Sequence, residues 1–198
     1  MGLLEDAALA WSQMYNREYY LLLGRTGKSE EFTLTFQPSM FSHLAGFQYL
    51  KDIDLGISKS EIYNGKLLQK IFNGKIRSEQ LEKSSNWENI RGRLIGIIEL
   101  ENTLDSDFMI HRFDPRRVPH GSWIDANYVI KNMNSGVTFF VFIDEDKNEW
   151  FCRSIFCMGI TDYTKNQARL TILKKIKYID KKQIYAYVHP HFKPELKN

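Results

Sequence analysis

The chain has 198 residues, of which 43% are apolar and 14% aromatic. That is enough for a packed core and too much for a disordered chain. No apolar run approaches the roughly 18 residues of a membrane span, and the opening Met1-Gly2-Leu3-Leu4-Glu5-Asp6 carries acid where a secretion signal needs base. A cytoplasmic protein with no membrane partner is therefore expected.

The net charge of +3 hides an asymmetry. Residues 1–150 carry 17 Lys and Arg against 21 Asp and Glu, whereas residues 151–198 carry 10 against 3. A segment of net charge +7 on a slightly acidic body suggests a polyanionic partner, or a solvated Lys-rich strand and tail.

In chain order, Leu3–Tyr15 reads as a helix. Arg17–Gly24 and the alternating Phe32, Leu34, Phe36 read as a hairpin. Pro38 opens a short helix through Leu44. Ser58-Lys59-Ser60-Glu61 and Ser85-Asn86-Trp87-Glu88 match capping boxes, and Ser78 is a candidate cap. From the second box a long helix is expected through Ile90, Leu94, Ile97 and Leu104. Strands follow over Phe108–Phe113, Ser122–Met133, Val137–Ile143, Trp150–Met158 and Arg169–Ile179. Val137–Ile143, apolar on both faces, should be central and pair with Trp150–Met158 through an Asp144–Asn148 turn. Helices followed by an antiparallel meander predict an α+β fold. The boundaries expected are an N-terminal helix over 1–15, one α+β domain over 16–180, and a basic tail over 181–198.

Several chemistries lack their motif. There is no Cys-x2-Cys pair and no His-Glu-x-x-His. Cys152 and Cys157 lie five apart on a strand and so on opposite faces, and are expected as separate free thiols. Gly24-Arg25-Thr26-Gly27-Lys28-Ser29 has too short a glycine gap for a phosphate loop. No metal and no cofactor is expected; His189-Pro190-His191 sits in a polar tail. What remains is His43, beside Ala45 and Gly46; Arg153 and Ser154 in a strand; Tyr163, Lys165, Asn166 and Gln167 in a loop; and Arg116 with Arg117. Each has an ordinary structural explanation, but together they could drive RNA cleavage by its own 2′-hydroxyl.

Phe41-Ser42-His43-Leu44-Ala45-Gly46, Ile53 with Ser58-Lys59, Trp150-Phe151-Cys152-Arg153-Ser154-Ile155-Phe156 and Lys165-Asn166-Gln167 resemble a known family over residues 15–180. It is the fourth family of phage Barnase–EndoU–Colicin–RelE-like nucleases, in which the residue after the block's Leu is often Thr; here it is Ala45. The resemblance implies an N-terminal hairpin and helices followed by a curved antiparallel sheet of about four strands. It implies metal-independent RNase chemistry and a toxin or effector of a phage or mobile element, acting on RNA (tRNA or mRNA), with an antitoxin or immunity protein as partner. On this chain it makes His43 the acid or base, Arg153 and Lys165 the phosphate-stabilising cations, Ser154 a donor to phosphate, and Tyr163 an orienting or stacking residue. Asn166, Gln167, Arg116 and Arg117 are the expected substrate contacts. Two alternatives stay open: an idle nucleic-acid-binding or regulatory module on the same fold, and a protein-interaction factor.

Overall fold

The computed structural model describes residues 2–63, 65–134 and 136–193. Helix α1 (Leu3–Gln13) buries Leu4, Ala7, Ala8 and Trp11. Its start is tied to a distant helix: Ser78 Oγ accepts from Leu4 N at 2.9 Å and donates to Glu5 Oε2 at 2.7 Å. The hairpin follows as β1 (Arg17–Arg25) and β2 (Lys28–Thr35), turning at Thr26-Gly27, both at positive φ. Short helices come next: α2 (Phe41–Leu44), α3 (Lys59–Tyr63), α4 (Leu67–Phe72) and α5 (Ser78–Leu81). The Ser58–Glu61 capping box forms in both directions. The box at Ser85 does not, because the hydroxyls of Ser84 and Ser85 donate to Asp52 instead. Those bonds pull the Asp52 carboxyl down to about 2.

The long helix expected from Trp87 to Leu104 is two, α6 (Trp87–Ile98) and α7 (Leu100–Asp105). It breaks at Glu99, where ψ falls to 0° and the N–H is shared between the carbonyls of Ile95 and Ile97.

Five strands complete the sheet before a last one: β3 (Met109–Arg112), β4 (Tyr128–Asn134), β5 (Val137–Asp146), β6 (Glu149–Cys157) and β7 (Ala168–Ile179). β5 and β6 pair antiparallel as expected, but their turn is the two residues Lys147-Asn148, both at positive φ, the geometry that matches strand twist. Trp123 and Ile124 lie outside β4, because His120 and Gly121 turn the chain at positive φ.

The fold is α+β, but its sheet matches only loosely the curved antiparallel one of about four strands expected from the resemblance. Strand order is β1-β2-β6-β5-β4-β3-β7, and β1 pairs again with β7, closing a seven-stranded barrel. The seam between β2 and β6 is parallel and short, with Leu34 opposite Trp150 and Thr35 opposite Phe151. Phe32 stacked on Trp150 at 4.6 Å and on Tyr128 at 5.1 Å packs across it. The expected tail is also ordered in part: Lys182–Val188 forms β8 on β7, after an Asp180-Lys181 turn at positive φ. Pro194–Asn198 of that tail lie outside the described residues.

Side chains from all seven barrel strands join α1, α2 and α4–α7 in one core. A smaller cluster sits on the other face of β4 and β5, where Val129, Phe140 and Phe142 meet Phe113, Val118 and Ala126. This double coverage is why Val137–Ile143 reads as apolar on both faces.

Candidate active site

The block Phe41-Ser42-His43-Leu44-Ala45-Gly46 becomes one helical turn and its stop. Phe41, Leu44 and Ala45 are fully buried, while His43 faces solvent. Gly46 ends the turn at φ +86°, its N–H donating to His43 O at 3.1 Å. A Cβ there would also stand 2.9 Å from Cδ of Arg93. Gly46 thus serves two needs, the left-handed backbone and the close approach of an arginine from α6.

Arg93 is 7% exposed. It occupies a position of the apolar stripe of α6, three after Ile90. Helix α6 comes close to β6 through Gly96, where a Cβ would meet Ile155 Cγ1 at 2.8 Å. The guanidinium donates to Ser154 Oγ at 3.2 Å and to Leu44 O at 3.5 Å. It lies over the rings of Tyr49 at 5.1 Å and Phe156 at 5.5 Å. Among the described residues no carboxylate pairs with it, and its Nε is buried without a partner. Cation–π contacts of this kind contribute about 2 kcal/mol when desolvated, less than the several kcal/mol that burial of an ion costs. Burial accordingly lowers its pKa.

On β6 the ladder slips by one residue. Phe142 pairs with Ser154 and Ile143 with Cys152, leaving Arg153 as the extra residue of a β-bulge. Bulges re-aim side chains and recur beside active sites. Arg153 Nη1 reaches Asp144 Oδ2 at 2.9 Å. His43 is near enough to both guanidiniums that partial burial, then Arg93, then Arg153, depress its pKa below the ordinary 6.5. Tyr163 packs edge-on against Phe140, Phe142 and Phe156, each at 5.4 Å. Burial raises the pKa of its phenol, and Arg93 opposes that shift.

A cavity of about 490 Å³ opens over this group, lined by Tyr49, Arg93, Trp123, Ile124, Phe156 and Tyr163 among others. His43, Arg153 and Ser154 do not line it. They connect to it through Arg93, which bonds the carbonyl of Leu44, next to His43, and the hydroxyl of Ser154, next to Arg153.

The structure thus gathers four of the nine residues picked from the sequence: His43, Arg153, Ser154 and Tyr163. Lys165 and Asn166 are exposed on the Tyr163 loop, Asn166 at positive φ. Gln167 has a fixed structural role, its amide donating to Asp114 O and accepting from Asp114 N, both at 2.9 Å. Arg116 and Arg117 pair with Asp114. Sequence reasoning passed over Arg93; the signal was a cation at a stripe position of the best helix in the chain.

The +7 segment also reads differently in three dimensions. Lys175 is buried, its Nζ donating to the carbonyls of Leu104, Asp105 and Ser106 at 2.9, 3.2 and 2.7 Å. Lys177 is paired with Glu101 and Asp105. Both cations hold the end of α7 through these contacts. Cys152 and Cys157 are free thiols, but the bulge at Arg153 sets them opposite Ile143 and Phe139 on one face of β6, not on the opposite faces expected. Burial pushes Cys152 up to about 12. Among the described residues no three His, Cys, Asp or Glu side chains converge as a metal site would require. No helix there is long and apolar enough to cross a membrane.

A family model described as phage-Barnase-EndoU-ColicinE5/D-RelE like nuclease 4 matches residues 3–188. Comparison with the curated proteins and with the solved structures returns no match.

Proposed function

This chain belongs to the phage-Barnase-EndoU-ColicinE5/D-RelE like nuclease 4 family, and on that premise we propose that it is an endoribonuclease working by 2′-hydroxyl attack. One observation carries the reading. Arg93 is a buried cation with no carboxylate partner among the described residues, on a cleft that Tyr163 also lines; behind that cleft it bonds Ser154, and with Arg153 it acts on His43. A buried charge in that position calls for an anion from outside, and a phosphodiester supplies it.

In this reading the scissile phosphate sits against Arg93 and Arg153. His43, held neutral at pH 7 by its depressed pKa, takes the 2′-hydroxyl proton. The 2′-oxygen attacks phosphorus, the bond to the 5′-oxygen breaks, and that oxygen takes a proton from water while the His43 imidazolium returns its own to solvent; the products are a 2′,3′-cyclic phosphate and a 5′-hydroxyl. The two guanidiniums stabilise the extra charge on the phosphorane. The hydroxyls of Ser154 and Tyr163 are donors to the phosphate oxygens. Lys165 and Asn166, exposed on the Tyr163 loop, hold flanking nucleotides. The reaction uses no metal. A phage or mobile-element toxin acting in the cytoplasm and restrained by an antitoxin is the biological setting proposed.

The test is cleavage of a mixed RNA pool in EDTA, with end-group analysis. Cyclic phosphate ends are expected. His43→Ala should lose about 10²–10⁴ in rate while keeping RNA affinity, and Arg153→Ala should lose both. A Mg²⁺ requirement or 3′-hydroxyl ends reject the mechanism. RNA binding without cleavage under any condition makes the idle-module reading the better one.

A further inference from the structure

Two large apolar side chains on the cavity that Arg93 floors are wholly exposed: Trp123 and Ile160. They come from different loops, one before β4 and one after β6. Apolar groups left fully in water at a cleft point to a ligand with an apolar face.

Trp123 is held out by its neighbours. Ahead of it, Gly121 N donates to Val118 O at 2.8 Å, closing a turn with His120 and Gly121 at positive φ. Behind it, Ile124 N donates to Ser122 Oγ at 3.1 Å, and Ile124 packs into the smaller core. The indole is thus a fully exposed ring on an anchored segment, whereas Trp11 is fully buried and Trp87 and Trp150 are partly so.

We propose that Trp123 is a base-stacking platform, with Ile160 as the second apolar contact, so that this site takes an unpaired nucleotide whose phosphate meets Arg93 and whose base lies on the indole. The inference rests on the nuclease reading above and narrows its substrate to single-stranded RNA. Stacking requires a free base face, which a duplex hides between neighbouring pairs. The cavity, at about 490 Å³, falls in the range of small-ligand sites, about 300–1,000 Å³. Arg93 on its floor and Trp123 and Ile160 on its rim, which Glu88, Asn89 and Thr161 share, give a phosphate and a base separate places to bind.

The experiment titrates the protein with three 2′-O-methyl oligonucleotides, which cannot be cleaved by this chemistry: a single strand, its duplex, and the strand with one abasic residue. Tryptophan fluorescence is the readout. The single strand should change the fluorescence and bind more tightly than the duplex or the best-placed abasic strand. Trp123→Ala should weaken single-strand binding by about 5- to 150-fold, the range of one lost base stack, with the matching loss in cleavage carried by KM. Trp123→Phe should retain most of the affinity yet lose the fluorescence change. Trp123→Ala binding and cleaving like the parent, or duplex binding as tight as single-strand binding, overturns the proposal. Single-strand binding that Trp123→Ala weakens, without cleavage by any variant, rejects the nuclease reading and leaves the stacking platform standing.

Discussion

Arg93 donates to Ser154 Oγ at 3.2 Å across 61 residues of sequence. This bond joins the buried face of α6 to the bulged strand β6 beside Arg153. It fixes a guanidinium that has no carboxylate partner among the described residues, next to the one exposed histidine of the α2 turn. This contact and the approach of Gly46 fix Arg93, while the bulge and Asp144 place Arg153 and three phenylalanines hold Tyr163.

The pH profile should report the cations around His43. Acting as a base, His43 must be neutral, so kcat/KM should rise with pH through a pKa below the ordinary 6.5, because burial, Arg93 and Arg153 disfavour the imidazolium. Arg153→Gln removes one of those charges and should move that limb upward toward 6.5. The same depression means the unfolded chain takes up this proton first. Stability from His43 is therefore present above pH 6.5 and falls as pH drops from there toward the folded pKa. Profiles of kcat/KM for the parent and Arg153→Gln provide the check; superimposable acid limbs would separate Arg153 from His43.

Gly46→Ala should damage both fold and chemistry. A residue with a side chain at φ +86° is strained, and its Cβ would press on Arg93 Cδ from 2.9 Å. A destabilisation of about 1–3 kcal/mol is expected. Cleavage at a temperature where the variant is fully folded should still drop, because Arg93 must shift. Thermal unfolding and kcat/KM on the same preparation separate the two effects. Parent-like stability and activity would show that neither the left-handed turn nor the contact matters.

Lys175→Met should cost stability without changing nucleic-acid affinity. Its ammonium satisfies three carbonyls at the end of α7, and leaving buried acceptors unpaired costs about 1–3 kcal/mol each. At about 2–4 °C per kcal/mol for a chain of this size, a clear fall in Tm is expected. The salt dependence of RNA binding should keep the parent's slope, because this cation neutralises no phosphate. A shallower slope in Lys175→Met would place the lysine at the nucleic acid instead.

Local pattern determined a good part of this protein. The hairpin β1–β2, the antiparallel pairing of β5 with β6 and the helical positions around Ile90 and Leu94 all follow from periodicity and turn chemistry. So does the block from Phe41 to Gly46, whose alternation of core residues, exposed histidine and terminal glycine is a property of one helical turn. The closure of the barrel was not legible, because it depends on β1 meeting β7 and on a two-residue parallel seam between β2 and β6. Such contacts join residues more than a hundred positions apart and leave no periodic trace. The fate of the basic segment was also tertiary. Lys174, Lys175 and Lys177 look alike in sequence, yet the twist of β7 over α7 buries Lys175 and Lys177 against carbonyls and carboxylates. Arg93 shows the same division most sharply. Its place on the apolar stripe was a signal passed over, and only the packing of α6 on β6, made close by Gly96, decided that this cation would bond Ser154 and face a cleft, without a carboxylate partner among the described residues.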